Sequence, residues 1–382
     1  MALNLYYVDP VGGNDGNVGS LAAPWLTTQH ALDTALEGAD GTQINIKSSG
    51  PDVLAASLNL VQYIVNNGAL SATQPLILRG YTAAANDGGR GALNGNSGGF
   101  TIMAGVPAYV SFVDLRCHNV GAIAPLNLAN HCTVFRCEVD TWSGAVYGIN
   151  LQNGAEVIGC YIHNGGVAGT SGAILIYQGA VLDNYITGVA GNAVFTLAQN
   201  AVAIWRNVIY LTTTTSIGIH LYRCYDTSVQ HNSIYQSVAG TASGIYGGVL
   251  EAFEPVIMNN IICGFNGVGG KAIWLDDKLA AVVGYNAFWQ NTVDEQYDRP
   301  PKVDLGNDVA LGADPFTSAA TGDFSLTAVA QAALRDVGWP AAYLGAHANT
   351  DGHITIGPIQ YGTGGGGAGP VSISPWRGGL IG

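Results

Sequence analysis

Six residues in three consecutive blocks are of the types that move protons or hold cations: Asp114 and Arg116, Glu138 and Asp140, Tyr161 and His163. Within each pair the members stand two apart, so on an extended strand both project from one face. If the blocks stack, Asp114, Glu138, Asp140, His163 and Arg116 form one acidic cluster with a base and a cation beside it, a constellation suited to proton transfer. Glycoside hydrolysis needs two carboxyl groups about 5–9 Å apart, one as acid and one as base or nucleophile. The same residues equally suit a solvated ion-pair patch on a polar face.

A second row is aromatic and amide-rich. Strand alternation sends Asn150 and Gln152, Tyr177, Thr196, His220 and Tyr222, Tyr246, and Trp274 with Asp276 to one face. Sugar rings stack on aromatic faces and amides bond their hydroxyls, so Tyr177, His220, Tyr222, Tyr246 and Trp274 read as a glycan groove. Aromatic residues also populate β surfaces by propensity alone. Asp276 and Asp277, flanked by Lys271 and Lys278, suggest Ca²⁺, although adjacent strand residues face opposite ways and leave Asp276 alone on this face. Asp9, Asn14 and Asp15 offer further oxygens, but without EF-hand spacing or a distal Glu they suit a turn. No cofactor is required, and calcium is the one the sequence allows.

What would position these residues is an internal repeat. An apolar residue, two variable residues, Asn or Cys, one variable residue and an apolar residue recur as Val134-x-x-Cys137-x-Val139, Val157-x-x-Cys160-x-Ile162 and Val181-x-x-Asn184-x-Ile186. The series continues through Ile204/Asn207/Ile209, Val229/Asn232/Ile234, Ile257/Asn260/Ile262 and Val283/Asn286/Phe288. An earlier copy reads Val110/Val113/Leu115, and copies start 23 to 28 residues apart. Coils of this length hold three short strands stacked at ~4.8 Å. Alternating Val and Ile fill the interior, while Asn at a fixed turn position bonds its counterpart in the next coil and tolerates left-handed angles. Cys137 and Cys160 would then mark packing positions in that ladder. A further strand per coil is legible in Gly148-Ile-Asn-Leu151, Gly172-Ala-Ile-Leu175, Gly218-Ile-His-Leu221 and Lys271-Ala-Ile-Trp-Leu275.

The expected fold is all-β, a right-handed single-stranded parallel β-helix. Residues 1–291 form the solenoid with an N-terminal helical cap over Thr27–Leu36, and 292–361, where the repeat breaks, a C-terminal cap with a helix from Thr327 to Val337. Residues 362–382 read as a Gly-rich linker and tail. In that tail Trp376 and Arg377 are types that dominate interfaces, which suggests protein partners and a homo-oligomer or larger assembly. A net charge of −13 opposes nucleic acid and anionic membranes as partners. The opening MALNLYYVDP shows no basic or apolar signal region, and no long apolar run suggests a membrane span. All six cysteines read as small buried hydrophobes, without metal-ligand spacing.

The opening Tyr6-Tyr-Val-Asp-Pro-Val-Gly-Gly-Asn-Asp-Gly16, with Ala23-Pro-Trp25 and Gln29-His-Ala-Leu32, resembles the start of pectin-lyase-like β-helix proteins. Asp323-Phe-Ser-Leu326, Asp336-Val-Gly338 and Ile356-Gly-Pro-Ile-Gln360 resemble their close. The resemblance implies the fold and admits several functions, since the group spans polysaccharide lyases, glycoside hydrolases and phage tailspikes. Lyases of the group use Lys or Arg as base, often with Ca²⁺ held by clustered acids. Here the four lysines are Lys47, Lys271, Lys278 and Lys302, which departs from that pattern. Three functions are therefore expected in turn. The first is a virion or surface structural protein, phage-borne or extracellular, that contacts a glycan or receptor. The others are a polysaccharide-degrading enzyme, lyase before hydrolase, and a non-catalytic carbohydrate-binding protein.

Overall fold

The computed structural model describes residues 3–338 except 98–101, 105–107, 122–123, 145, 167–170, 198–200, 223–225, 249–253, 277–280, 299–302 and 336. The expected tail with Trp376 and Arg377 and the end of the C-terminal cap lie outside the described residues, as do Cys224, Asp277, Lys278 and Lys302. The chain divides into two compact units, Met1–Ile176 and Tyr177–Gly382.

In the first unit a coil is three short strands, such as Thr133–Phe135, Glu138–Trp142 and Tyr147–Leu151. Each pairs in parallel with its equivalent one coil on, Val134 opposite Val157, Val139 opposite Ile162 and Ile149 opposite Ile174. The second unit repeats the scheme. Its first sheet stacks Val181, Ile204, Val229, Ile257 and Val283 in one column, all fully buried. Each such side chain contributes roughly 1.5–3 kcal/mol of burial free energy. Both units are parallel β-solenoids, as the repeat requires.

The turn between first and second strands is tight and left-handed. The residue just before the ladder position has positive φ in eight successive coils: Asp114 (53°), Arg136 (51°), Gly159 (63°), Asp183 (57°), Arg206 (58°), His231 (58°), Asn259 (59°) and Tyr285 (57°). Left-handed backbone is costly for side chains with a Cβ, so the strain falls on this neighbour and not on the ladder residue itself. In the second unit Asn184, Asn207, Asn232, Asn260 and Asn286 are buried, each Oδ1 from Asn207 on accepting from the backbone N and Nδ2 of the preceding coil's Asn. Cys160 plays the same part in the first unit. Its Sγ accepts from the Cys137 backbone N at 3.4 Å, so these thiols continue the bonding and are more than packing. All five described cysteines are buried, and none of them forms a disulfide.

One expected repeat was out of register. Val134 pairs with Phe112, not Val110, which makes the copy Phe112-x-x-Leu115-x-Cys117. Val110 and Phe112 are both fully buried, so hydrophobicity alone does not separate them; the left-handed turn at Asp114 does. The second residue of several third strands is small (Gly148, Ala193, Gly218, Gly244, Ala272), and for the glycines the reason is steric. A Cβ on Gly218 would lie 2.7 Å from Ile234 Cγ2, and one on Gly244 2.5 Å from Ile262 Cγ2.

At the N-terminus, α1 (Thr28–Thr34) is capped by Thr27, whose side chain accepts from the His30 backbone N, and buries Ala31 and Leu32. Leu36, expected on its apolar face, is 59% exposed because the helix ends before it. A second helix, α2 (Val61–Asn67), packs beside α1.

The solenoid also runs one coil past residue 291. Val293–Tyr297, Val303–Asp304 and Val309–Ala310 pair with Lys271–Leu275, Val282–Gly284 and Ala287–Trp289. The repeat is hidden there because inward positions turn polar, with Glu295 opposite Ile273, Tyr297 opposite Leu275 and Asp304 opposite Val283. Asp308 ends the ladder by accepting from the Asn286 backbone N at 2.6 Å. Burial and neighbouring acids push Glu295 up to about 7 and Asp308 up to about 6.

A hairpin (Phe316–Ser318 with Asp323–Leu326) and α3 (Ala328–Leu334), capped by Thr327, follow. Phe316, Phe324, Leu326, Ala330 and Leu334 pack on Ile261, Cys263, Ala287, Tyr185, Tyr210 and Tyr235, covering the outer face of this unit's second sheet. Among the described residues no helix is long and apolar enough to cross a membrane.

Candidate functional site

Two constellations emerge, one in each unit. In the first unit the second sheet projects two outward columns, Arg116–Glu138–Tyr161 and His118–Asp140–His163. Arg116 donates from Nε (3.1 Å) and Nη2 (2.6 Å) to Asp140 Oδ2, and its Nε lies 3.4 Å from Glu138 Oε1. Arg90 Nη1 reaches Glu138 Oε2 at 2.7 Å. His163 Nε2 lies 3.2 Å from Glu138 Oε1 and 3.6 Å from Asp140 Oδ2, with its ring stacked on Tyr161 at 4.0 Å. Asn164 Nδ2 stands 2.7 Å from His163 Nδ1. If that amide donates, the imidazole proton sits on Nε2 and points at Glu138.

Glu138, Asp140, His163 and Arg116 therefore come together as the sequence suggested. Asp114 does not join them. It occupies the left-handed turn residue, where Oδ2 accepts from Arg136 Nη2 at 2.6 Å; only the two-residue misregister of the first copy put it on the strand face in the sequence. His118 takes the position wrongly assigned to a neighbour, and Arg90 arrives from a loop outside the repeat.

The chemistry open to this cluster is limited by its own cations. Burial raises the Glu138 carboxyl, but the His163 hydrogen bond and the Arg116 and Arg90 charges outweigh it and hold the group at about 2. Such a carboxyl is no general acid near neutral pH. One ligand atom each from Glu138, Asp140 and His163 lies within 4.8 Å of the others, so a metal ion is geometrically conceivable. Arg116 already bridges the two carboxylates, however, and one imidazole with two engaged carboxylates does not fit the six to eight oxygens that Ca²⁺ takes. The oxygens near the N-terminus are engaged too. Asp9 accepts from Lys47, Ser49, Val11 and Gly12, and Asp15 from Leu26 and Thr27, which are turn and staple roles.

In the second unit the third sheet carries an aromatic stripe. Phe195, His220, Tyr246 and Trp274 stand in register on four successive strands, Asn192–Leu197, Ile217–Tyr222, Ser243–Gly247 and Lys271–Leu275. Neighbouring ring centroids are 4.8, 4.9 and 4.7 Å apart. Tyr222 stacks on Phe195 at 5.9 Å, and Lys271 Nζ lies 3.4 Å above the Trp274 ring. Gln296 continues the column.

Phe195 is the residue the sequence missed. Thr196, expected outward, is fully buried and pairs with the inward Leu221. Aligning Val194 with Ile219 would have found it. Tyr177 lies in the bend before the unit's first strand and not in the column, and Asp276 follows directly after Trp274's strand.

Burial pushes His220 down to about 4, so it is neutral near pH 7. Burial raises the Tyr246 phenol, with Asp276 and Asp298 adding to the shift. His220 Nδ1 and Trp274 Nε1 are withdrawn from water without a hydrogen-bond partner.

The strand pairing defines each unit as a parallel β-solenoid. No family model and no curated protein matches the sequence. Among solved structures the chain is similar to pectate lyase Pel9A (TM-score 0.60, 14% identity, 94% of this chain and 96% of that one). It is also similar to a glycoside hydrolase (0.56, 10%, 86% and 100%) and to a rhamnogalacturonan lyase (0.51, 12%, 86% and 98%). At such identities the likeness concerns the fold.

Proposed function

We propose that this protein binds a polysaccharide along the aromatic stripe of its second unit without cleaving it at the Glu138 cluster. The observation that carries the reading is the in-register column Phe195–His220–Tyr246–Trp274, a continuous run of rings at coil spacing. Sugar C–H faces pack on such rings. The solved structures of like fold are named for pectate, glycosides and rhamnogalacturonan, which supports a glycan as the ligand. Ion pairing at Glu138 and Asp140 supports binding over hydrolysis. A surface or virion setting suits such a module and belongs to the proposal.

Affinity electrophoresis of the full chain through gels containing soluble polysaccharides tests it. Retardation by at least one polymer is expected, with the apparent affinity falling about tenfold or more in Tyr246→Ala and Trp274→Ala at unchanged melting temperature. Retention of full affinity by both variants would overturn the assignment. Appearance of unsaturated or reducing ends, abolished by His163→Ala or Asp140→Ala, would replace binding by catalysis.

A further inference from the structure

The charges around the stripe say which glycans it accepts, an inference that rests on the binding reading above. The five third-sheet strands of the second unit hold a single cation, Lys271. That ammonium is already engaged, lying 3.4 Å over the Trp274 ring. His220 contributes no charge near pH 7, since burial holds its imidazole neutral. Asp298 acts electrostatically on both Lys271 and Tyr246, and Asp276 acts on Tyr246, so among the described residues the charges felt at this end of the stripe include two carboxylates and one ammonium. Recognition of a glycan carboxylate calls for exposed guanidinium or ammonium groups that pair with it. Among the described residues the stripe carries no arginine. The chain's net charge of −13 adds a repulsive background that salt screens only beyond about 8 Å.

We infer that the stripe selects an uncharged polysaccharide, built of hexose or N-acetylhexosamine units, and rejects polyuronates. Rings supply the contact to apolar sugar faces, and Gln296, next in the column, supplies hydrogen bonds. The two acids at the Tyr246–Trp274 end act as a filter against anionic chains.

The test compares the full chain in affinity gels containing a neutral β-glucan, a chitin oligosaccharide conjugate, polygalacturonate or alginate, at low and physiological salt. A neutral polymer should retard the protein, and the two polyuronates should not. The double variant Asp276→Lys/Asp298→Lys should gain polyuronate binding by about tenfold at low salt, with most of the gain lost on adding salt. Polyuronate binding by the unaltered protein as strong as binding to any neutral polymer would overturn the selectivity while leaving the stripe intact. A neutral polymer bound equally well by Tyr246→Ala and Trp274→Ala would instead overturn the stripe, and the selectivity with it.

Discussion

Replacing Asn207 by Asp changes one amide nitrogen to oxygen in the middle of a buried ladder. Asn207 Oδ1 accepts from the backbone N and Nδ2 of Asn184, at 3.0 and 2.9 Å, and an aspartate keeps both bonds. Its Nδ2 donates to Val181 O and to Asn232 Oδ1, each at 2.9 Å, and both donations are lost. Two net hydrogen bonds amount to about 2 kcal/mol. An ionised carboxylate in their place faces two acceptors in a fully buried position, so the total reaches roughly 3–5 kcal/mol near neutral pH. The new carboxyl will have a folded pKa raised above its unfolded value of about 3.9. Below that value both states are protonated and the deficit is smallest. As pH rises toward the folded pKa the deficit grows by about 1.4 kcal/mol per unit. Guanidinium unfolding followed by circular dichroism from acid to neutral pH measures it. A variant as stable as the parent, or a deficit independent of pH, would refute the ladder's energetic role.

Three further outcomes follow from the same geometry. The depressed Glu138 carboxyl contributes stability that is complete above about pH 4.5 and is lost as pH falls toward 2, so Glu138→Gln should flatten the acid limb of the melting-temperature profile. Glu295, raised to about 7, has the opposite sign. Its burial costs stability progressively as pH climbs from about 4.5 to that value, with the full cost present above it, and Glu295→Gln should raise the melting temperature at pH ~8 while changing little at pH ~4. Cys117, Cys160 and Cys263, whose thiols burial pushes well up, should resist a thiol reagent in the native protein and react once guanidinium unfolds it; mass spectrometry of the modified peptides reads this directly.

The solenoid was legible because its determinants are local and periodic: β alternation, an amide or thiol at one turn position, and a small second residue in several third strands. What escaped the sequence did so for identifiable reasons. Val110 and Phe112 are both buried, so the first copy slipped by two residues and carried Asp114 into a cluster it does not join. His118 was lost with the same slip. Arg90 lies outside the repeat, and only the folded chain brings it to Glu138. The last coil vanished because Glu295, Tyr297 and Asp304 break the apolar code at inward positions. The outward tyrosines 185, 210 and 235 look like surface decoration in sequence, yet they are the floor on which the C-terminal hairpin packs. Of the aromatic stripe, three of four rings were found. Phe195 was displaced by Thr196, since either fits alternation until Val194 is set against Ile219.

The location of a bound oligosaccharide tests the central claim most directly. Crystals of the full chain soaked with the neutral oligosaccharide that retards it best should show pyranose rings lying over Tyr246 and Trp274, following the column toward His220. Density at the Arg116–Glu138–Asp140–His163 cluster, with the aromatic stripe empty, would contradict the account and place the protein's chemistry on the first unit's charged face.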